Sequence, residues 1–108
     1  MKDYANLVGY SDITPFEIVR VVNPTCLEVR EMAYRRHDAW KPEWEQGGFA
    51  GHCTNQASQR WEILPAPYNK PHKIRLSKAK RTAGKWLDPN GNVYVLADEP
   101  RRFYDYNF

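Results

Sequence analysis

Residues 15–34 read PFEIVRVVNPTCLEVREMAY, and this stretch decides the fold class. Leu27 and Val29 alternate with Glu28 and Arg30, the period of a strand that buries one face. Phe16, Ile18 and Val22 stand among Glu17 and Arg20, and Val19 and Val21 add β-branched character. Pro15 fits the start of a strand better than the interior of a helix. Asn23-Pro24-Thr25 is turn chemistry. The stretch therefore predicts an antiparallel hairpin of residues 15–22 and 26–34.

Outward from this hairpin the signals weaken and recur. Residues 1–11 are weakly patterned and open on a short turn or strand. Residues 35–48, RRHDAWKPEWEQGG, combine Pro42 with a glycine pair that opposes a long helix. They are expected to form a long Trp-containing loop with room for one helical turn. Residues 49–54 and 59–64 are expected to pair as a second hairpin around the polar 55–58. Residues 72–77 alternate again, with Ile74 and Leu76 inward and Lys73 and Arg75 outward. In Asp88-Pro89-Asn90-Gly91-Asn92, proline presets one turn dihedral and Asn-Gly supplies positive φ. That turn predicts a hairpin of residues 85–87 and 93–96. The tail RRFYDYNF is aromatic to its end and is expected to dock on the sheet as a final strand. Five to seven short strands joined by Gly, Pro and Asn turns imply a mainly β chain. The predicted architecture is a small antiparallel barrel or sandwich, SH3-like or OB-like, in a single domain of residues 1–108.

Composition narrows the function classes. Aromatics make up 14% of the 108 residues, enough apolar surface to build one core without metals or disulfides. Mean hydropathy is −0.78. No apolar stretch approaches the roughly 20 residues of a membrane span. The first eight residues carry no long apolar segment, so a secretory leader is not expected. Two cysteines, Cys26 and Cys53, are too few for a disulfide scaffold and fit the cytosol. Net charge is only +3, but its distribution is uneven. No acid lies between Ile63 and Leu87, a window that holds Lys70, Lys73, Arg75, Lys78, Lys80, Arg81 and Lys85. Such a run serves either as a solvated face or as a site for an anionic partner.

Motifs for catalysis are scarce. There is no phosphate loop, no dinucleotide fingerprint, no C-x-x-C and no H-x-x-x-H. Cys26, His37, His52, Cys53 and His72 match no zinc spacing, so no metal or other cofactor is expected. Cys53 could act as a nucleophile only with a distant His37 or His72 brought to it by folding. A half-buried strand cysteine is the alternative. The chain is therefore expected not to be an enzyme. Binding features are better supported. Trp40 and Trp44 stand four residues apart, with Arg35 and Arg36 just upstream. Arg101 and Arg102 adjoin the terminal aromatics. Guanidinium groups grip phosphate and flat rings stack on bases, which suits nucleotide recognition. The two tryptophans would otherwise pin the long loop to the barrel. The expected ligand-binding set is Arg35, Arg36, Trp40, Trp44, Lys73, Arg75, Lys78, Lys80, Arg81, Arg101 and Arg102.

Tyr10-Ser11-Asp12, the strand from Thr14 to Val22, Trp40-Lys41-Pro42, Gly47-Gly48-Phe49, Asp88-Pro89-Asn90-Gly91 and the aromatic tail give an outline spanning most of the chain. It resembles small phage and prophage accessory proteins of unassigned function. The resemblance carries no residue roles. It implies a protein of the bacterial host cytosol, some relatives of this kind being factors that counter host defence. The expected function is thus non-catalytic interference with a host process, through binding an anionic nucleotide or nucleic acid. Direct blocking of a defence protein, as an anti-CRISPR factor would do, is the alternative. No membrane partner is expected, and an exposed strand edge would let copies of the chain pair.

Overall fold

The computed structural model describes residues 2–47 and 50–107. Along the chain the strands are β1 (Tyr4–Val8), β2 (Ile13–Thr14), β3 (Phe16–Asn23), β4 (Cys26–Glu31), β5 (Ala33–Arg36), β6 (Trp44–Gly47) and β7 (Ala50–Cys53). A 3-10 turn (Gln56–Ser58) follows, then β8 (Trp61–Leu64), β9 (His72–Leu76), β10 (Trp86–Leu87) and β11 (Val93–Ala97). Gly48, Phe49 and Phe108 lie outside the described residues, and with them the start of the strand expected at residue 49 and the last tail aromatic.

Strands β1, β3, β4, β9, β10 and β11 close into a six-stranded antiparallel barrel, with β2 added alongside β1. The expected small barrel is the observed architecture. Its order is a plain meander, whereas an OB-fold is connected as a Greek key. Hairpin β3–β4 forms as the alternation predicts, but its second strand stops at Glu31 rather than running to Tyr34, because Ala33 and Tyr34 belong to β5 and pair with β8. Val29 pairs with Ile18 and faces inward, while Glu17 pairs with Arg30 and Arg20 with Glu28 on the outer face. The outward pairs are ion pairs, at 2.7 Å for Arg30–Glu17 and 3.4 Å for Arg20–Glu28. Register shifts between Ile18 and Arg20 and between Val21 and Asn23 put bulges into β3. Bulges bend and twist a strand, which is what closing a barrel of short strands requires. Closure falls to β1, which pairs with β11 over five residues from Tyr4↔Ala97 to Val8↔Val93. The N-terminal segment, weakly patterned in sequence, is thus the keystone of the barrel.

The interior is small. Ala5, Phe16, Leu27, Val29, Ile74 and Tyr94 form the buried cluster, with Leu7, Ile18, Trp86 and Leu96 against it. The β10–β11 turn follows its expected chemistry. Gly91 takes φ +85°, which only glycine adopts without strain, and its N–H donates to the Asp88 carbonyl at 3.0 Å.

Between β4 and β9 the chain leaves the barrel as an arm. Strand β5 pairs with β8, from Ala33↔Leu64 to Arg36↔Trp61. Inside that pair, β6 pairs with β7, from Trp44↔Cys53 to Gly47↔Ala50. The expected hairpin of residues 49–54 with 59–64 is therefore replaced by two nested ribbons. The long loop expected over 35–48 shrinks to residues 37–43, between the end of one strand and the start of another. Asn55 holds the junction of the ribbons: its amide donates to the Lys41 carbonyl at 2.8 Å and accepts from the Glu43 N–H at 2.8 Å. The arm makes the molecule long, 50 × 32 × 21 Å with a radius of gyration of 16.1 Å. A compact chain of this length would have about 13 Å.

The tail does not form the expected final strand. Among the described residues it makes one bridge, Phe103 to Ile13, and then runs along the arm. Side-chain amides take the place of a backbone ladder there. Gln59 accepts the Tyr104 N–H at 2.8 Å and donates to the Tyr104 carbonyl at 2.9 Å. Gln56 accepts the Tyr106 N–H at 2.9 Å. Asn107 accepts from the Cys53 N–H at 2.7 Å and donates to the Cys53 carbonyl at 2.9 Å. At the barrel end, buried Asn6 accepts the Arg101 N–H at 2.9 Å and donates to the Glu99 carbonyl at 3.1 Å. The tail is a strap that holds arm to barrel. Among the described residues no helix is long and apolar enough to cross a membrane.

Candidate functional site

The predicted binding residues fall on two separate surfaces. On β9, Ile74 is fully buried and Lys73 and Arg75 point outward, as alternation requires. The following residues 77–85 form a folded loop. Ser77 and Thr82 hydroxyls meet at 2.6 Å, the Ser77 N–H donates to the Lys85 carbonyl at 2.8 Å, and Gly84 takes φ +82°. Lys70, Lys73, Arg75, Lys78, Lys80, Arg81 and Lys85 are all exposed. Among the described residues none of them is ion-paired. Lys73 stands opposite Glu28 in register, but that carboxylate is engaged by Arg20. The register also sets the geometry. Cys26 pairs with Arg75 and Val29 with His72, so the basic loop leaves the barrel at the end where β4 begins, and the arm at the end where β4 finishes.

The second surface lies where arm, barrel and strap meet. Strand alternation separates Arg35 from Arg36. Arg35 is spent on Glu62 at 2.6 Å and Asp38 at 3.6 Å. Arg36 is exposed on the other face, directly opposite Trp61. Trp40 and Trp44 do not share a helical face, because Pro42 lies in irregular chain and Trp44 begins β6. Both meet Tyr106 instead, at ring-centroid distances of 5.5 and 6.3 Å. Trp40 is 6% exposed with its Nε1–H donating to Ser58 at 3.3 Å, a pin that anchors the loop. Trp44 is 55% exposed. Arg101 is exposed, while Arg102 is drawn inward over the rings of Tyr34 at 4.3 Å, Trp61 at 5.1 Å and Tyr104 at 5.7 Å.

Arg36, Trp61, Arg102, Tyr104 and Tyr106 line an open cleft of about 400 Å³. Sequence reasoning found its arginines and missed Tyr34, Trp61, Tyr104 and Tyr106 as a group. The usable signal was period two: Tyr34 and Arg36 share one face of β5, and Trp61 sits on the matching face of β8. Only the pairing of β5 with β8 turns that signal into a site.

Inside the barrel lies a polar chain that sequence did not suggest. The Tyr94 hydroxyl donates to Asp88 at 3.1 Å and lies 2.9 Å from His72 Nε2. A carboxylate only accepts, so the Tyr94 proton is committed to Asp88, and His72 Nε2 is the donor to the tyrosine oxygen. Burial pushes the Asp88 carboxyl up. Hydrogen bonds from the Asn92 side chain and backbone, Tyr94 and the Asn90 backbone outweigh it and hold the carboxyl below its ordinary range. Tyr94 is pushed strongly up, first by burial and then by the Asp88 charge, its hydrogen bond to Asp88 and the Glu31 charge. The chain is a brace between β9 and the β10–β11 turn. Cys53 is 1% exposed, with Sγ 3.5 Å from Asn55 Oδ1. His72 is occupied by Tyr94, and His37 Nδ1 accepts the Ala39 N–H at 3.0 Å. No group of three potential metal ligands occurs among the described residues.

No protein-family model matches this sequence, and no curated protein and no solved structure matches it either. The class that fold and surfaces define is a closed meander barrel with a strapped arm, basic at the end away from that arm.

Proposed function

We propose that this chain acts by binding rather than by catalysis, and that its ligand is a nucleic acid strand held by phosphate contacts at the basic end of the barrel. One observation carries the reading. The acid-free window of the sequence folds into an exposed strand face and loop whose cations lack ion-pair partners among the described residues. Unpaired surface Lys and Arg that neutralise phosphates gain affinity by releasing counterions. The resemblance to phage accessory proteins supports a role in interfering with a bacterial host process. The direct test is fluorescence anisotropy with a labelled oligonucleotide, single-stranded and duplex, from low to physiological salt. Steep weakening with salt is expected. Absence of binding at low salt, or binding indifferent to salt, would sink the proposal.

A second reading has its own observation. Trp44 stands 55% exposed on a protruding arm, and tryptophan is prominent among interface hot spots. In that reading the arm blocks a host protein, with Trp44 as anchor. Loss of inhibition in Trp44→Ala, with oligonucleotide binding unchanged, would favour it.

A further inference from the structure

We infer that the cleft between arm and strap is a second ligand site, one that takes a nucleoside monophosphate. It lies on a different surface from the basic strand and loop, and it stands or falls independently of them.

Arg102 is half-buried, yet among the described residues no carboxylate forms an ion pair with it. Among the described residues its Nη1 makes long contacts, 3.4 Å to the Ile13 carbonyl and 3.4 Å to Thr14 Oγ1. Its Nε is fully buried and has no acceptor among the described residues. A guanidinium carries five N–H donors, and one drawn into the protein without a counterion is costly. The three aromatic faces around it offset part of that cost through cation–π attraction. They do not supply an anion. Arg36 stands at the same cleft, exposed and without an ion pair among the described residues, on the strand face that also carries Tyr34.

Two guanidiniums from different elements, one on β5 and one on the strap, suit a doubly charged phosphate. Both line the cleft, and a phosphate group can accept from two guanidiniums at once. The rest of the wall is flat and aromatic. Tyr104 and Tyr106 stand edge to face at 4.7 Å, and Trp61 is fixed by its Nε1–H donating to Gln59 at 2.6 Å. Such rings stack on any nucleobase without reading its edge. The cleft, about 400 Å³, is wide open to solvent, so a ligand there would be held by its contacts to these side chains rather than by enclosure. A phosphate on the arginines and a base on the tyrosines account for both halves of the wall.

The experiment is calorimetric titration of the whole chain with adenosine monophosphate, adenosine and inorganic phosphate in parallel. Saturable binding of the monophosphate is expected, with adenosine and phosphate each weaker by about tenfold or more, since each keeps only half the contacts. Arg102 also ties the strap, so its removal risks unfolding. Arg36→Ala is the safer variant, because that side chain is exposed and anchors nothing in the core. It should weaken the monophosphate about tenfold and leave the melting temperature unchanged. The triple variant Lys78→Ala, Lys80→Ala, Arg81→Ala should lose oligonucleotide affinity and keep the monophosphate. No heat of binding up to about 10 mM monophosphate would overturn the inference. So would binding that survives Arg36→Ala and disappears in the triple variant. The first result would leave the proposal for the basic end untouched, and the second would move the nucleotide to that end and support it.

Discussion

Replacing Tyr94 by Phe tests the barrel's polar brace. The ring is 3% exposed and would keep its edge contacts with Phe16 at 5.2 Å and His72 at 5.8 Å, so packing is preserved. Two hydrogen bonds vanish, one donated to a carboxylate and one accepted from the imidazole. A bond to a charged group contributes roughly 1.5–3 kcal/mol and a neutral one roughly 0.5–1.5. Asp88 keeps its other three donors, and half-buried His72 can turn its stranded N–H toward water. The expected loss is therefore about 2 kcal/mol at neutral pH, a fall in melting temperature of roughly 10 °C for a domain of this size. The assay is urea unfolding followed by circular dichroism, with an unchanged slope showing that the same surface is exposed.

The pH dependence sharpens the test. The folded Asp88 pKa lies below its unfolded value, so its contribution is present above the unfolded pKa of 3.8 and is lost as pH falls through the folded value. Because Tyr94 supplies one of the lowering bonds, the gap between wild type and variant should narrow in acid. At the alkaline end the sign reverses. The folded Tyr94 pKa is raised, so its contribution is present below its unfolded pKa of 10.0 and is lost as pH rises toward the folded value. Tyr94→Phe should remove that alkaline loss. A variant as stable as wild type at neutral pH, or a gap that does not change between neutral and acid, would refute the reasoning.

The remaining expectations concern the two surfaces and the strap. If the basic end grips duplex DNA, removing Lys78, Lys80 and Arg81 together should flatten the slope of log affinity against log salt by roughly 2.7, or by about 2 for a single strand. An unchanged slope would show that those three do not touch phosphate. Trp40→Ala should cost about 3–5 kcal/mol in urea unfolding because the indole is buried. Trp44→Ala should cost less than about 1 kcal/mol, because over half of that side chain is already in water. Equal effects would contradict the placement of the two indoles. Asn107→Ala removes both hydrogen bonds to the Cys53 backbone. Hydrogen exchange at the Cys53 amide should speed up by about tenfold while the barrel amides stay protected, and uniform acceleration would mean that arm and barrel open as one unit.

What the residues declare by themselves is local. The alternation at residues 26–30 orients β4, and the outward ion pairs of β3 and β4 follow from it. The Asp88–Asn92 turn specifies hairpin β10–β11, because proline and Asn-Gly fix dihedrals within a few bonds. The inward Ile74 and outward Lys73 and Arg75 on β9 come from the same period of two. The acid-free window marks the basic surface without any need to know the fold. Tertiary structure decided the rest. Strand β1 has little pattern of its own, and its role became visible only through its pairing with β11, almost the full chain away. Residues 59–64 had a nearer candidate partner than β5, and choosing between pairings depends on long-range contacts that no local propensity encodes. The strap is bound by Gln56, Gln59 and Asn107 through side-chain amides, which leave no periodic trace. The Arg–aromatic cleft shares that origin: β5, β8 and the tail each contribute a fragment, and only folding gathers those fragments around the Arg102 guanidinium.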